Sequence, residues 1–462
     1  MTDAYHAFLE RKRTFDPPSG IDGSVTLPDF LKPHQTDIIQ WALRRGRAAI
    51  FAGTGLGKTL MELLWAREVA QHTGKPVLIL APLAVAQQHG GEASKFGLSA
   101  TVVQARSDSA INISNYQKLD RFELSEFGGV ALDESSILKN VDGHYRSALI
   151  AQCAAIPFRL AATATPAPND FMELGNHAEF LGIMSYTDML ATFFVHDGGD
   201  TKKWRLKGHA EEEFWRWMAS WAVMLRKPSD LGYGDDGYDL PALTYHHHRI
   251  AVDYRPSFET GTLFPMEART LSERLAARRE SVGDRTRHAV EITPRDMPYV
   301  WWCNLNDEAD LIVRNLPGAV NLSGADSDKE KTRKLLAFSD GTIRHLVTKP
   351  AIAGFGMNWQ HCCRTGFVGL NDSFEQIYQS VRRFWRFGQA MPVDVDFIAS
   401  EREGAVVANF RRKEADAERM AAAMVRHMAD LSSAAVRGAV RDRPDYRPEK
   451  TMTIPNWIGV AA

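Results

Sequence analysis

The chain has 462 residues, which is enough for two or three domains with large hydrophobic cores. Its 44% hydrophobic and 24% charged residues are typical of an ordinary globular protein. The 55 basic and 57 acidic residues give a formal net charge of −2. This balance excludes a uniformly basic surface, so any nucleic-acid site must be a local basic patch.

Cysteine usage and hydropathy indicate the compartment. The four cysteines have neither the spacing of a zinc site nor the density of a secreted disulfide scaffold, so we expect buried, reduced thiols. The N-terminal residues lack the apolar segment of a signal peptide. No apolar run reaches bilayer length. These features predict a soluble cytoplasmic protein that makes no membrane contact.

The first half of the chain has the pattern of an α/β domain. Residues 1–27 are polar and rich in turn formers, which predicts an N-terminal arm. From 28 to 170, short apolar runs alternate with helical stretches, which predicts a mainly parallel sheet with helices on both faces. The predicted strands are Ala48–Phe51, Val77–Ala81, Ala100–Val103, Ile111–Ser114, Gly129–Leu132 and Arg159–Thr163.

A phosphate-binding loop is the strongest motif of this domain. The segment AGTGLGKT, residues 52–59, lies between a predicted strand and a predicted helix over Thr59–Ala70. Its glycines let backbone N–H groups surround an anion, and the helix N-terminus would face the phosphates. A glycine-rich turn before an ordinary helix is the alternative. The expected nucleoside-triphosphate contacts are Gly53, Thr54, Gly55, Gly57, Lys58 and Thr59.

Two carboxylates follow a buried strand downstream of this loop. Gly129–Leu132 ends in Asp133 and Glu134. Asp133 would hold Mg²⁺ together with the Thr59 hydroxyl, and Glu134 would orient and deprotonate the attacking water. An Asp-Glu pair after an apolar run is common by chance, but its position after a phosphate loop favours the catalytic interpretation.

Residues 171–290 differ in composition and predict a helical insert. Phe214, Trp217, Trp221 and Leu225 recur at helical spacing, which favours a core stripe over a base-stacking platform. The run 246–248 consists of three histidines and invites a metal-site interpretation. A strand is favoured, because neighbouring side chains of a strand point to opposite faces.

A second α/β pattern covers residues 291–402, followed by a C-terminal helix and basic tail over 403–462. The predicted strands are Tyr299–Asn304, Val320–Leu322, His345–Thr348, Thr365–Leu370 and Val393–Ala399. The predicted helices are Asp307–Leu316, Asp328–Phe338 and Ser373–Phe387. The chain is therefore predicted to contain two α/β units joined by a helical insert.

Two arginines of the second unit lie in the segment Gln379–Gln389. On the predicted helix, Arg383 and Arg386 are three residues apart and share a face, whereas Arg382 points elsewhere. A solvated basic face is one interpretation of this pair. The other is that both arginines neutralise the transition state of phosphoryl transfer, which would place the nucleotide between the two units.

These motifs resemble those of superfamily-two helicases, and in particular the Snf-type double-stranded DNA translocases, especially compact phage or prophage members. The resemblance covers about residues 30–415. It implies two RecA-like parallel-sheet domains with a helical insert between them and a helical C-terminal extension. It also implies a bacterial or phage-infected host cytoplasm.

The resemblance assigns further roles at the nucleotide. It makes Gln35 the adenine contact, which favours ATP as the substrate, and it adds Gly356 and Gln379 to the ATP-binding residues. It makes Thr163 and Thr165 the element that couples the ATP state to domain movement.

The resemblance also implies contacts with nucleic acid. The implied contacts are Pro82, Asn115, Lys118, Lys139, Thr348 and Asn358, with Arg226 and Lys227 as further candidates. The pair Lys139-Asn140 is a Snf-type trait that argues against DEAD-box RNA helicases, whereas Ser136 replaces the usual histidine. A translocase must tolerate every sequence, so we expect contacts mainly with phosphates.

These implications predict an ATP-dependent DNA translocase or helicase that uses Mg²⁺ and moves along DNA, with the duplex favoured. One alternative is a strand-separating DNA or RNA helicase. A second alternative is an ATP-binding nucleic-acid clamp that hydrolyses little ATP. The intact set of Lys58, Asp133, Glu134, Arg383 and Arg386 argues against the clamp.

Overall fold

The computed structural model describes residues 17–139, 144–167, 170–197, 200–251, 271–353, 358–369 and 373–437. Within these ranges the chain forms a seven-stranded sheet, a six-stranded sheet and a two-stranded hairpin. All strand pairs within the two large sheets are parallel, and helices accompany both. The predicted α/β class with two parallel-sheet domains and a C-terminal helix is therefore confirmed.

The first large sheet has the strand order β3-β4-β2-β5-β6-β1-β9. The strands in the first half of the chain are β1 (Arg47–Ala52), β2 (Val77–Ala81), β3 (Ala100–Val102), β4 (Ile111–Asn115), β5 (Gly129–Asp133), β6 (Phe158–Thr163), β7 (Phe194–Asp197), β8 (Asp200–Leu206) and β9 (Ala222–Leu225). The helices are α1 (Pro33–Arg45), α2 (Lys58–Thr73), α3 (Leu83–Lys95), α4 (His144–Cys153), α5 (Leu174–Leu181), α6 (Tyr186–Phe193) and α7 (Glu211–Ala219).

The central strands of this sheet bring the chemical residues to one edge. Strands β2 and β5 are buried throughout, which explains their near-continuous apolar sequences. Strand β6 lies between β5 and β1, and its register pairs Thr163 with Phe51 and Ala162 with Asp133. Because the carboxyl ends of parallel strands meet at the same edge, the phosphate loop, Asp133 and Thr163 are neighbours.

The segment predicted as a helical insert is only partly helical. Strands β7 and β8 form an antiparallel hairpin, and β9 joins the first sheet beside β1. Phe214, Trp217 and Trp221 are buried in the first-domain core, as predicted. Helix α7 ends at Ala219, so Leu225 lies in β9 instead of continuing the helical stripe. A strand of four residues that follows an aromatic helix is too short to show a recognisable alternation in the sequence.

The second large sheet has the order β10-β15-β14-β11-β13-β12. Its strands are β10 (Leu243–Ile250), β11 (Tyr299–Cys303), β12 (Ala319–Asn321), β13 (His345–Thr348), β14 (Arg364–Val368) and β15 (Val393–Ser400). The helices in this half are α8 (Leu271–Glu280), α9 (Val282–Ile292), α10 (Asn306–Asn315), α11 (Asp328–Ser339), α12 (Pro350–Ala353), α13 (Phe374–Val381) and α14 (Gly404–Val436).

The histidine run lies in a strand, as favoured from the sequence. In β10, His246 Nε2 lies 2.9 Å from Asp394 Oδ1, and His248 Nε2 lies 2.8 Å from Asp396 Oδ1 on the adjacent β15. His247 lies beside the Phe397 ring, with 5.4 Å between ring centroids. Alternation along the strand thus gives the three histidines different neighbours.

The helix predicted over Ser373–Phe387 is shorter than expected. Helix α13 begins after Ser373, whose hydroxyl accepts the N–H of Gln376, and it ends at Val381. Residues 382–388 form turns, in which Arg383 O accepts a hydrogen bond from the N–H of Trp359. A tertiary hydrogen bond takes the place of the helical pattern in this segment. Arg383 and Arg386 are therefore not on one face of a helix, in contrast to the prediction.

The C-terminal helix α14 contacts both domains. Its N-terminal half packs Phe410 against Tyr245 and Phe397 of the second sheet. Its C-terminal half buries Met424 and Met428 in the first-domain core. The two domains are therefore joined by one continuous helix as well as by the connecting chain. Within the described part of the chain, no helix combines the length and apolar character needed to span a membrane.

A buried ion network supports the second domain. Arg285 is completely buried and donates to Glu308 Oε1 at 2.7 Å, to Ser281 Oγ at 2.9 Å and to Arg278 O at 2.6 Å. Arg278 in turn pairs with Glu403 Oε1 at 3.0 Å. Glu308 also accepts the N–H groups of residues 304 and 305, each at 2.8 Å, at the start of α10. These bonds fix α8, α9, α10 and the start of α14 relative to one another.

We expect Arg285→Met to destabilise the second domain by about 3–5 kcal/mol, because it leaves the Glu308 carboxylate buried without a cation. Arg287→Met is the matched control, since the Arg287 side chain is 68% exposed and pairs with Asp284 on its own helix. The control should change the free energy of unfolding by less than about 0.5 kcal/mol. Urea unfolding curves measure both values, and equal midpoints for the two variants would contradict the role given to this network.

Candidate functional site

The phosphate loop adopts a backbone that requires glycine. Gly55 and Gly57 have φ angles of 92° and 83°, in the left-handed region. A Cβ atom at Gly57 would lie 2.3 Å from Gln35 Nε2, and one at Gly55 would lie 2.7 Å from Phe387 Cβ. The two glycines therefore allow a tight turn and also the close approach of α1 and of the second domain.

Lys58 lies folded over this loop. Its ammonium group donates to Ala52 O at 2.8 Å and to Gly53 O at 3.4 Å. Burial lowers the pKa of Lys58, while the carboxylates of Glu134 and Asp133 act in the opposite direction. The lysine is thus a cation held beside the loop by weak carbonyl acceptors, and an anion in the loop would be a stronger partner.

Asp133 and Glu134 occupy the adjacent strand end. Asp133 is 4% exposed, and its Oδ1 accepts the N–H of Glu134 at 2.8 Å. Glu134 has a φ of 52°, and no other described residue except glycine has a positive φ. Such a backbone costs on the order of 1 kcal/mol or more and concentrates at functional sites. The Thr163 hydroxyl donates to Glu134 Oε2 at 3.4 Å, and the N–H of Thr165 donates to that hydroxyl at 3.1 Å.

Burial dominates the electrostatics of these carboxylates. Burial and the neighbouring Glu62 raise the pKa of Asp133 to about 6, although His89 and Lys58 lower it. Burial and the charge of Asp133 also raise the pKa of Glu134. A raised pKa makes Glu134 a better proton acceptor than an exposed glutamate.

The second domain supplies two arginines to the same place. Arg383 is 5% exposed, and its Nε donates to Gln379 O at 3.2 Å. Burial lowers the pKa of Arg383 to about 10, against the attraction of Glu134 and Asp133. Burial, with the repulsion of Arg383, likewise lowers the pKa of Arg386 to about 10. Both groups remain cations at neutral pH and lie within the electrostatic reach of Glu134.

Neighbouring contacts distinguish these arginines from Arg382. The Arg386 guanidinium donates to Asn358 Oδ1. The Arg382 guanidinium instead lies over the rings of Tyr378 and Trp385, at 4.8 Å and 4.3 Å from their centroids. Arg382 therefore points elsewhere, as expected from the sequence, even though the segment is a turn and not a helix.

A second contact joins the domains beside this site. Ser136 donates to Glu375 Oε1 at 2.9 Å, and Lys139 forms an ion pair with the same carboxylate. Glu375 lies in the first turn of α13, the helix that precedes the arginine segment. The loop after Asp133 and Glu134 is thus tied to the element that carries the arginines. Asn140, noted with Lys139 in the sequence, lies outside the described residues.

Gln35 is close to the phosphate loop, but its amide is occupied. Its Nε2 donates to Leu56 O at 3.0 Å, and its Oε1 accepts the N–H of Lys32 at 3.1 Å. Gln35 is 7% exposed and thereby links the start of α1 to the loop. An adenine contact by this side chain would exchange these two bonds for bonds to the base.

The residues expected to contact nucleic acid lie at strand ends but differ in exposure. Pro82 directly follows β2, and Asn115 is the last residue of β4. Lys118 lies half-buried in the short 3₁₀ helix that follows β4. Asn115 is 5% exposed, and its Oδ1 has no partner among the described residues. Thr348 is 1% exposed and donates to Leu322 O at 3.0 Å.

Other candidates of this set already have protein partners. The Lys139 ammonium pairs with Glu375, and Asn358 accepts from Arg386, as described above. Arg226 pairs with Glu418 of α14, and Lys227 pairs with Asp235 at 3.1 Å. A phosphate that contacts Lys139, Arg226 or Lys227 would compete with the carboxylate that now pairs with the cation.

The site has the features that a magnesium nucleotide needs. The loop offers a glycine cradle that Cβ atoms would fill, and Thr59 and Asp133 provide oxygen ligands of the kind that Mg²⁺ prefers. Gln379 Nε2 and Arg386 Nε are buried donors that have no partner within the described ranges. These residues fit a metal-bound polyphosphate. Gly356, also expected to bind ATP, lies outside the described residues.

A cleft of about 960 Å³ lies beside the loop, between the domains and α14. Its lining includes Gly53, Thr54, Thr165, Tyr238 and Phe387. The lining does not include Lys58, Asp133, Glu134, Arg383 and Arg386. Since Glu134 and Asp133 attract the buried Arg383, a nucleotide phosphate would compete with these carboxylates for the arginine.

Sequence reasoning missed two members of this cluster, Glu62 and His89. Both are completely buried, and with Asp133 they form the only group of potential metal ligands found in the described part of the chain. Glu62 has a detectable signal, because it lies four residues after Lys58 on α2 and interrupts an apolar stretch. His89 has no such signal, since its approach to Asp133 depends on the packing of α3.

Comparison with known proteins gives a distant structural similarity only. No protein-family model matches the chain, and no curated protein matches its sequence significantly. Among solved structures, the chain is similar to the SWI2/SNF2 ATPase core of Sulfolobus solfataricus, which was solved in complex with double-stranded DNA. The identity is 20%, the TM-score is 0.40, and the match covers 88% of this chain and 96% of the other.

Glu134→Gln should stabilise the protein at about pH 8. The pKa of Glu134 is raised above its usual value of 4.5, so the folded state binds its proton more tightly than the unfolded state. Wild type therefore loses stability as the pH rises through and above 4.5, and the glutamine variant avoids that loss. Thermal unfolding midpoints should favour the variant at about pH 8 and converge near pH 4.5.

Glu212→Gln is the control for this comparison, because the Glu212 side chain is 83% exposed. Its midpoint should follow that of wild type at both pH values. A Glu134→Gln midpoint below that of wild type at about pH 8 would show that Glu134 is stabilised by its neighbours and not strained by burial.

Proposed function

We propose that the chain is an ATP-dependent translocase that moves along duplex DNA without sequence preference. The observation that carries the proposal is the position of Arg383 and Arg386, which come from the second domain and lie beside Glu134 of the first. A site divided in this way changes its domain contacts whenever the nucleotide changes, which is the requirement for a motor.

The first domain would bind the phosphates. Backbone N–H groups of the loop and the N-terminus of α2 attract anionic oxygens, and Lys58 would leave the carbonyls of Ala52 and Gly53 for a phosphate. Magnesium, held by Thr59 and Asp133, would neutralise part of the phosphate charge. Glu134 would accept the proton of the attacking water at a carboxylate oxygen, and the Thr163 hydroxyl would keep that carboxylate oriented.

The second domain would complete the site. Arg383 lies near Glu134 and Asp133, so these charges attract each other while no phosphate is present. A triphosphate offers a more highly charged partner, and both arginines would then neutralise the charge that develops during phosphoryl transfer. Loss of the terminal phosphate would weaken this contact and let the domains shift.

Contacts beside the site offer a path from chemistry to movement. Thr163 and Thr165 connect Glu134 to the loop after β6, and Glu375 connects Ser136 and Lys139 to α13. Ser136, which stands where the related motif usually has a histidine, would thereby take part in coupling through its hydrogen bond to Glu375. Movement of α13 would shift the second sheet relative to the first. The residues at the strand ends of the two sheets would then move relative to each other along the phosphate backbone of DNA.

We expect duplex DNA to raise the ATP hydrolysis rate by at least about tenfold, and more than single-stranded DNA or RNA does. Lys58→Ala and Glu134→Gln should lower the stimulated rate by at least about 100-fold, because they remove a phosphate contact and the proton acceptor. Steady-state phosphate release, measured without nucleic acid and with each of the three polymers, tests this expectation.

The outcomes separate the alternatives. Stimulation by RNA alone would contradict the proposal, and a wild-type rate equal to that of Lys58→Ala under every condition would favour a clamp. Displacement of a triplex-forming strand without separation of a duplex supports translocation. Separation of the duplex itself would favour a strand-separating helicase.

Arg383→Ala and Arg386→Ala should each lower kcat by about 1000-fold, with a much smaller effect on ATP binding. Arg382→Ala is the matched control, since its guanidinium lies over Tyr378 and Trp385 instead of the carboxylates. Its rate should remain within about threefold of wild type. Equal losses in all three variants would indicate that the segment matters for folding only, and circular dichroism of each variant checks this.

A further inference from the structure

Three buried side chains from three elements meet behind the phosphate loop. Glu62 lies on α2, one helical turn after Lys58; His89 lies on α3; and Asp133 ends β5. Their exposed fractions are 0%, 0% and 4%. His89 Nε2 lies 3.4 Å from Glu62 Oε2 and 3.5 Å from Asp133 Oδ2. The imidazole therefore lies between two carboxylates and has no contact with solvent.

The hydrogen-bond partners define the protonation of His89. Its Nδ1 lies 3.1 Å from Val85 O, and a carbonyl oxygen only accepts, so this nitrogen carries a hydrogen. Its Nε2 faces the two carboxylate oxygens, which also accept. Both ring nitrogens of His89 thus face oxygen acceptors, and Glu62 and Asp133 approach the same nitrogen. Glu62 Oε1 has no hydrogen-bond partner among the described residues, so the contact of Oε2 with His89 is the hydrogen bond that this carboxylate has.

The same bonds fix both oxygens of Asp133. Oδ1 accepts the N–H of Glu134 at 2.8 Å, and Oδ2 faces His89. The Asp133 carbonyl oxygen accepts the Tyr116 hydroxyl at 2.7 Å, which fixes the backbone as well. Asp133 is therefore held at its backbone and at both carboxylate oxygens by neighbouring groups.

A purely structural role explains this arrangement poorly. A buried ion pair is often no more stabilising than apolar side chains of similar size, and Glu62 and His89 are surrounded by the apolar core of α2 and β2. Polar partners that orient a ligating carboxylate are instead a common feature of metal sites.

We propose that Glu62 and His89 are positioning residues that hold the Asp133 carboxylate in the orientation that receives the metal of the bound nucleotide. This inference rests on the proposed ATP site. It assigns no catalytic step to either residue, since neither touches the phosphates. It predicts a specific defect: weaker metal binding in the nucleotide complex, with nucleotide binding itself retained.

The test uses the full-length protein, Mn²⁺ as the metal probe and the β,γ-imido analogue of ATP, which is not hydrolysed. Electron paramagnetic resonance measures free Mn²⁺ in each titration. His89→Leu should weaken Mn²⁺ binding by about 10- to 100-fold, whereas His89→Gln, which keeps one N–H donor, should recover part of the loss. Binding of a fluorescent ATP analogue in EDTA should change by less than about twofold.

Further variants exclude a folding defect. Substitution of His89 alone leaves the buried Glu62 carboxylate without its imidazole partner. The double variant Glu62→Gln/His89→Gln removes that carboxylate as well and should unfold at a higher temperature than His89→Gln. His72→Gln is the control on α2, the helix that carries Glu62, because His72 is exposed. Wild-type Mn²⁺ affinity in His89→Leu would overturn the proposal, provided that the variant has a normal unfolding midpoint; if it unfolds early, the double variant decides in the same way.

Two other results would also overturn the proposal. Wild type that binds no Mn²⁺ together with the ATP analogue would remove the proposed function and this inference with it. A stoichiometric transition metal that remains in nucleotide-free protein after dialysis against a chelator, and disappears in His89→Leu, would make the cluster a resident metal site instead.

Discussion

The attraction between two arginines of the second domain and the carboxylates of the first is the interaction on which the rest of the site depends. Glu134 and Asp133 attract Arg383, Glu92 and Glu134 attract Arg386, and the packing of Phe387 against Gly55 brings the domains together at the phosphate loop. Neither domain alone contains all the charged side chains of the site. Lys58, His89, Arg383 and Arg386 lie among the four carboxylates of Glu62, Glu92, Asp133 and Glu134. A triphosphate would compete with these carboxylates for the cations.

This contact explains why the surroundings are so strongly buried and polar. Arginine in a buried position needs a partner, and a carboxylate in the same position needs a cation. As long as the domains meet, the arginines and the carboxylates attract each other across the interface. A polyphosphate can enter only by exchanging partners, so binding must alter the contact between the domains. The same reasoning applies to Glu375, whose bonds to Ser136 and Lys139 depend on the distance between the domains.

The sequence predicts those parts of the molecule whose signals are local. Buried strands such as β2 and β5 are continuous apolar runs, and the phosphate loop needs glycine wherever φ is positive, so both can be recognised without a structure. Strand β9 could not be recognised, because its four residues are too few to show an alternation distinct from that of the preceding aromatic helix. The end of α13 at Val381 also escapes prediction, since the following turn is held by a hydrogen bond from distant Trp359.

The parts of the site that were missed are long-range pairs. His89 is 44 residues from Asp133 and 27 from Glu62, and Glu375 is 239 residues from Ser136. None of these residues belongs to a recognisable motif, and each acquires its partner only when helices pack on the sheet or the domains meet. Motifs in a sequence therefore identify the groups that touch a ligand, whereas the groups that orient them are distributed through the packing. In a divided site the second class is large, because orientation must be restored each time the domains close.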